Sequence, residues 1–96
     1  MQTADMWYVT TFYRFLPLEN PDLVKIQWDH KADELGIRGL LILGKEGFNT
    51  TCCAPGESSL LAFKNWVLAT FDCGDMLFKD SVSHVPPFLK FKSKVR

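Results

Sequence analysis

Ninety-six residues, 47% of them hydrophobic and 23% charged, hold enough apolar surface for one packed core and too much for a disordered chain. Eleven basic and eleven acidic residues cancel to a formal net charge of zero, so bulk charge does not mark a nucleic-acid binder. No apolar run approaches membrane-spanning length and the N-terminus lacks a signal pattern, which reads as a cytoplasmic protein without a membrane partner.

In chain order, residues 1–5 are polar and read as a loose start to a single domain over 1–96. From Met6 to Leu16 the run is dense in aromatic and β-branched residues, which suit a pleated surface. Alternation puts Trp7, Val9, Tyr13 and Phe15 on one face and Tyr8 and Phe12 on the other, the pattern of a central strand. Asn20-Pro21 opens a helix, with Asn as N-cap and Pro at the first helical position. Val24, Trp28, Ala32 and Leu35 follow at helical spacing, and Gly36 stops it. Leu40 to Leu43 is a short buried strand. Gly44 to Gly47 is a turn, and Phe48 to Ala54 returns as the other arm of a hairpin. Ser58 or Ser59 caps a second helix with a Leu60, Phe63, Val67 stripe, ending around Cys73-Gly74. Met76 to Val82 reads as a fourth strand. Pro86-Pro87 interrupts the chain, and Phe88 to Arg96 alternates apolar and basic residues.

The order β-α-β-β-α-β predicts an α+β, ferredoxin-like sandwich: a mainly antiparallel four-stranded sheet with two helices on one face and a possible extra C-terminal strand. Three cysteines, Cys52, Cys53 and Cys73, read as reduced thiols. The adjacent pair points to opposite faces of a strand, and no spacing suits zinc. No metal or other cofactor is expected.

Charge is unevenly spread. Residues 1–60 carry five basic and eight acidic groups, whereas residues 61–96 carry six basic and three acidic groups. Lys90, Lys92, Lys94 and Arg96 fall on one face of the last strand, with Leu89, Phe91 and Val95 on the other. Alternate strand residues are about 6.6–7 Å apart, close to the phosphate spacing of a nucleic-acid strand. The row reads either as a backbone-tracking surface or as lysines that guard an edge strand. The hairpin residues Gly44, Glu46, Gly47 and Asn49 read either as an acid and an amide offered at a tip or as ordinary turn chemistry. Tyr8, Phe12 and Tyr13 are the ring candidates for stacking a base on the uncovered sheet face, or else core residues. No cysteine has a context that would activate it, and His30 and His84 lack partners at useful spacing, so no catalytic residue is expected.

Several segments together resemble the rhodanese-like tRNA uridine hydroxylase family. Thr11-Phe12-Tyr13-Arg14-Phe15 is similar to its first-strand S-F-Y-K-F signature. The stretch from Leu35 to Asn49, ending Lys45-Glu46-Gly47-Phe48-Asn49, resembles its L-G-L-x-G-R-I-L-L-A-x-E-G-I-N block. Phe78-Lys79-Asp80-Ser81 is similar to K-E-S, and Pro87 to Lys92 resembles P-F-x-x-L-K-V-R. Departures are Leu40 for Arg, Gly44 for Ala, Phe48 for Ile and Thr50-Thr51 for G-T. The resemblance implies an N-terminal accessory domain excised from a longer protein, with the essential cysteine in a downstream rhodanese domain. It implies oxygen-dependent 5-hydroxylation of a wobble uridine by the parent, with tRNA and the rhodanese domain as partners. Carried over by position are the motif loop and an RNA-contact set of Arg14, Lys79, Lys90, Lys92, Lys94 and Arg96. The alternatives are a protein-interaction module without RNA affinity and a small acylphosphatase-like enzyme. The latter would use Arg14 and Asn49, although the loop Leu16-Pro17-Leu18-Glu19 has no glycine and an acid where an anion should bind.

Overall fold

The computed structural model describes residues 6–72 and 74–96. The chain runs β1 (Trp7–Phe15), α1 (Pro21–Leu35), β2 (Arg38–Gly44), β3 (Gly47–Ala54), α2 (Glu57–Phe71), β4 (Lys79–Ser83) and β5 (Phe91–Val95). The strands form one mixed sheet in the order β4-β1-β3-β2-β5. This is the expected ferredoxin-type arrangement with the extra strand realised: β1, β3, β2 and β4 pair antiparallel, and β5 adds parallel to β2 at the far edge.

Both helices cover the same sheet face, and one aromatic-rich core lies between the layers. β1 supplies Phe12, β2 Leu41 and Leu43, and β3 Phe48, Cys52 and Ala54; the helices answer with Trp28, Ala32, Leu60, Phe63 and Val67. Trp28 is fully buried and stacks on Phe12 and Phe71, with ring centroids 6.2 and 5.7 Å away. Phe63 and Trp66 close on it edge-first at 5.5 and 5.6 Å. Truncating a ring so enclosed costs about 3–5 kcal/mol.

The first helix starts and stops as its sequence requires. The Asn20 side-chain oxygen accepts from the Leu23 amide at 3.2 Å, Pro21 leads the helix, and Gly36 turns left-handed at φ 71°. The second differs from expectation at both ends. Gly56 is its N-cap with no side-chain bond, so neither Ser58 nor Ser59 caps it, and Asp72 takes the left-handed C-cap at φ 51°. The backbone amide of Asp72 bonds the Leu68 carbonyl, which closes the helix before Gly74 is reached. Cys73 lies outside the described residues, as do residues 1–5.

The last two strands are shorter than the sequence pattern suggests. β4 begins at Lys79 rather than Met76, and Met76 is buried in the core. β5 begins at Phe91 rather than Phe88, because the segment holding Pro86-Pro87 must cross from one sheet edge to the other. The Lys90 carbonyl accepts from Gly39 and the Arg96 amide donates to Leu43, extending the β2–β5 register at both ends.

Candidate nucleic-acid interface

Strand alternation sorts every sheet residue onto the helix-covered face or the open one. Paired positions in the register share a face. The open face therefore carries Trp7, Val9, Thr11, Tyr13 and Phe15 from β1, and Asn49, Thr51 and Cys53 from β3. Arg38, Leu40 and Ile42 come from β2, Lys92 and Lys94 from β5, and Lys79, Ser81 and Ser83 from β4. No acidic side chain occurs among these strand positions. Asp80, the acid within β4, pairs with the buried Thr10 and so lies on the helix side.

Ion pairing divides along the same boundary. Lys25 and Lys31 on α1 bind Asp29 and Glu34 at 3.0 and 3.4 Å. Lys64 on α2 binds Asp80 at 2.8 Å, and Arg14 binds Asp75 at 2.7 Å. All four pairs belong to the helix layer or to helix-side strand positions. Arg38, Lys79, Lys90, Lys92, Lys94 and Arg96 make no ion pair among the described residues. Lys79 flanks one sheet edge and Lys92 and Lys94 the other, while Lys90 and Arg96 continue the β5 alternation at either end. Arg38 lies over the Trp7 ring, its guanidinium carbon 4.5 Å from the centroid. β5 is also an edge strand, so its lysines guard that edge as well.

Five of the six cations expected to meet RNA thus gather around one face. The sixth does not. Arg14 sits between Tyr13 and Phe15 and so points the other way; it pairs in register with Phe48, a core residue, and its charge is engaged by Asp75. The face gains Arg38 instead, which alternation in β2 could have supplied. The ring candidates separate likewise. Phe12 is buried and Tyr8 packs against the core, but Tyr13 is 61% exposed. Phe15, not singled out from sequence, is 81% exposed beside it, the ring centroids 5.7 Å apart.

The motif hairpin lies at the same end of the sheet. Gly47 has φ 140°, and a Cβ there would overlap the Arg14 carbonyl oxygen, so the residue is needed for β3 to close against β1. Glu46 is exposed at the turn, with its carbonyl accepting from the Leu16 amide at 2.9 Å. Lys45 accepts from Leu18 in the same way at 3.0 Å. Asn49 is exposed, and its amide makes no hydrogen bond among the described residues, so it is not tied into the turn. The arrangement does not serve phosphate hydrolysis. Arg14 and Asn49 face opposite sides of the sheet, and the amides of Leu16 and Leu18 already donate to hairpin carbonyls.

The two described thiols, Cys52 and Cys53, are unsuited to chemistry. Cys52 is buried in the core, and burial, with Cys53 adjacent, pushes its thiol up to about 12. Cys53 is buried on the opposite face; burial raises its thiol too, offset by a Phe88 backbone hydrogen bond and by Arg38. His30 and His84 are exposed, and no group of three potential metal ligands occurs among the described residues.

Residues 7–96 match the family described as UPF0176 acylphosphatase like domain. A tRNA uridine(34) hydroxylase of Bdellovibrio bacteriovorus is 43% identical over 90 residues, covering 94% of this chain and 26% of the relative. One of Legionella pneumophila is 30% identical over 88 residues, covering 92% of this chain and 34% of the relative. The chain thus spans about a quarter to a third of the relatives it matches. Among solved structures, BlrB, a BLUF protein in its dark state, superposes with a TM-score of 0.61 at 18% identity, covering 95% of this chain and 71% of BlrB. Full-length HypF in its phosphate- and nucleotide-bound form gives 0.54 at 10% identity, covering 94% and 12%. At such identities these two share the fold alone.

Proposed function

Because the chain belongs to the UPF0176 acylphosphatase-like domain family, we propose that it is the non-catalytic N-terminal part of a tRNA-modifying enzyme and holds tRNA on its open sheet face. The parent activity is hydroxylation of uridine 34, as in the named relatives. The observation that carries the RNA role is the division of charge: cations of the helix side are ion-paired, whereas those around the open face are not. An unpaired cation keeps its full attraction for a phosphate, and the strand positions of the face carry no acid; Glu46 adds repulsion only at the hairpin tip. The activated cysteine that the parent chemistry requires is sought in the rhodanese domain, since Cys52 and Cys53 are buried and held as thiols.

Fluorescence anisotropy of labelled tRNA with the 96-residue chain tests the reading. Binding at low salt that weakens in Lys92→Glu/Lys94→Glu supports it. Absence of binding at 20 mM salt removes the direct RNA role.

A second reading has its own support. Leu77 and Leu89 are each 85% exposed and Val85 67%, all in segments bordering the sheet. Such side chains suit packing against the rest of the parent, including its rhodanese domain. Under that reading Leu89→Asp loosens the parent's domains in limited proteolysis while leaving RNA affinity unchanged.

A further inference from the structure

We propose that the hairpin end of the open face holds a single unstacked base of single-stranded RNA, stacked on Tyr13 and Phe15 and hydrogen-bonded by Asn49. This deepens the RNA reading above and rests on it. Across the sheet at this level, the register aligns Tyr13, Asn49, Ile42 and Lys94 in one row. The next row aligns Phe15, Gly47 and Gly44, with Arg96 held beside Leu43 by its amide. A concavity of about 560 Å³, within the range of small-ligand sites, is lined by Tyr13, Phe15, Ile42, Asn49 and Arg96, with Lys94 outside it.

Each part matches a part of a nucleotide. Tyr13 and Phe15 meet at an interplanar angle of 61°, so a base lying on one ring meets the edge of the other. Both rings are mostly solvent-exposed, an arrangement that costs apolar exposure unless something covers them. Asn49 presents a free carbonyl and a free amino group, the pair that matches adjacent donor and acceptor atoms on a base edge. The glycines at 44 and 47 leave no side chain between Phe15 and the end of β5. Lys94 and Arg96 stand at the strand edge, where the phosphates on either side of the base would pass. Glu46 and Asp22 line the concavity too, and their carboxylates repel a phosphate there; the base, not the backbone, enters.

A duplex cannot use such a site, because its bases are stacked and its edges paired. The site therefore adds a preference for single strands to a charge-driven attraction that both forms share.

The test compares hexauridylate with a short self-complementary RNA duplex, each titrated into the native chain, Tyr13→Ala, Phe15→Ala and Lys92→Glu/Lys94→Glu. Each ring deletion is expected to weaken hexauridylate binding by about 5- to 150-fold, the span of measured base–aromatic stacking. Duplex binding should stay within about twofold, whereas charge reversal weakens both. Ring protons of Tyr13 and Phe15 should shift in the NMR spectrum on adding hexauridylate, which settles the point even if a variant fails to fold. If both RNAs bind but neither ring variant nor ring proton responds, the stacking site is wrong and the RNA reading stands. If neither RNA binds at low salt, the RNA reading falls and takes the site with it.

Discussion

Reversing Lys92 and Lys94 tests the charge argument through the salt dependence of binding as well as through affinity. The two side chains share the open face of β5, about 6.6 Å apart along the strand, and neither has an acidic partner among the described residues. Each phosphate neutralised on a duplex stem contributes a slope of about −0.9 in log affinity against log salt. If Arg38, Lys79, Lys90, Lys92, Lys94 and Arg96 all engage, the slope is about −5.4, and affinity falls about 1,800-fold between 50 and 200 mM salt. Removing two contacts brings the slope to about −3.6 and that fall to about 150-fold. Partial engagement lowers both slopes but preserves the difference of about 1.8 wherever these two lysines bind. Anisotropy titrations of tRNA at four salt concentrations measure it, with Lys25→Glu/Lys31→Glu on α1 as a charge-matched control that should leave the slope unchanged. A change in slope under about 0.5 for the double variant, or an equal change for the control, refutes the assignment of the open face.

Three further outcomes follow from the fold. The Cys52 thiol is raised from 9.0 to about 12, so the folded state keeps a proton that the unfolded chain loses; its contribution is full below pH 9 and fades as pH rises toward 12. By pH 10.5 the loss is about 2 kcal/mol relative to Cys52→Ala, read from urea midpoints of the two proteins across pH, and a parallel pH dependence in both refutes it. Asp80 has its carboxyl lowered, first by the Lys64 hydrogen bond and then by Thr10, so that stability is present above its unfolded pKa and lost as pH falls further. The carboxylate is 57% exposed, so screening leaves less than about 1 kcal/mol; thermal melts of Asp80→Asn against the native chain should converge as pH falls below 3.8. Gly47→Ala should cost about 2–3 kcal/mol in chemical denaturation through its φ of 140° and the Arg14 carbonyl, and a neutral result removes the close approach as the reason for glycine there.

The parts of the fold legible in the sequence were those set by neighbours along the chain. Asn20-Pro21 and Gly36 bound α1 because capping is local, and the Lys25–Asp29 pair follows from helical spacing alone. The alternation of β5 put its lysines on one face before any partner strand was known. Its place beside β2, and its parallel direction, depend on a crossover from the opposite sheet edge, which no local pattern encodes. The same distinction explains Arg14. Motif similarity grouped it with the lysines, yet its place between Tyr13 and Phe15 fixes it on the other face, and its partner Asp75 is 61 positions away. The second helix ended early because the Asp72 amide bonds Leu68 and Asp72 itself accepts the left-handed conformation usually left to glycine.

A net charge of zero excluded less than it first suggested, because the fold separates the charges that the sum cancels. α1 alone carries Asp22, Asp29, Asp33 and Glu34, on the layer opposite the open face. The separation is least at β5, where Asp29 accepts from the Ser93 hydroxyl and lines a concavity with Asp33, Lys90, Lys92 and Lys94; because the potential decays over about 8 Å at physiological salt, a phosphate at that edge meets part of their field. At longer range the two signs cancel, leaving a weak long-range pull on a polyanion but a strong preference for which face meets it. On the proposed RNA role, a domain built this way orients RNA better than it recruits it. Under the proposed function, that division suits a module spanning about a quarter to a third of the length of the relatives it matches.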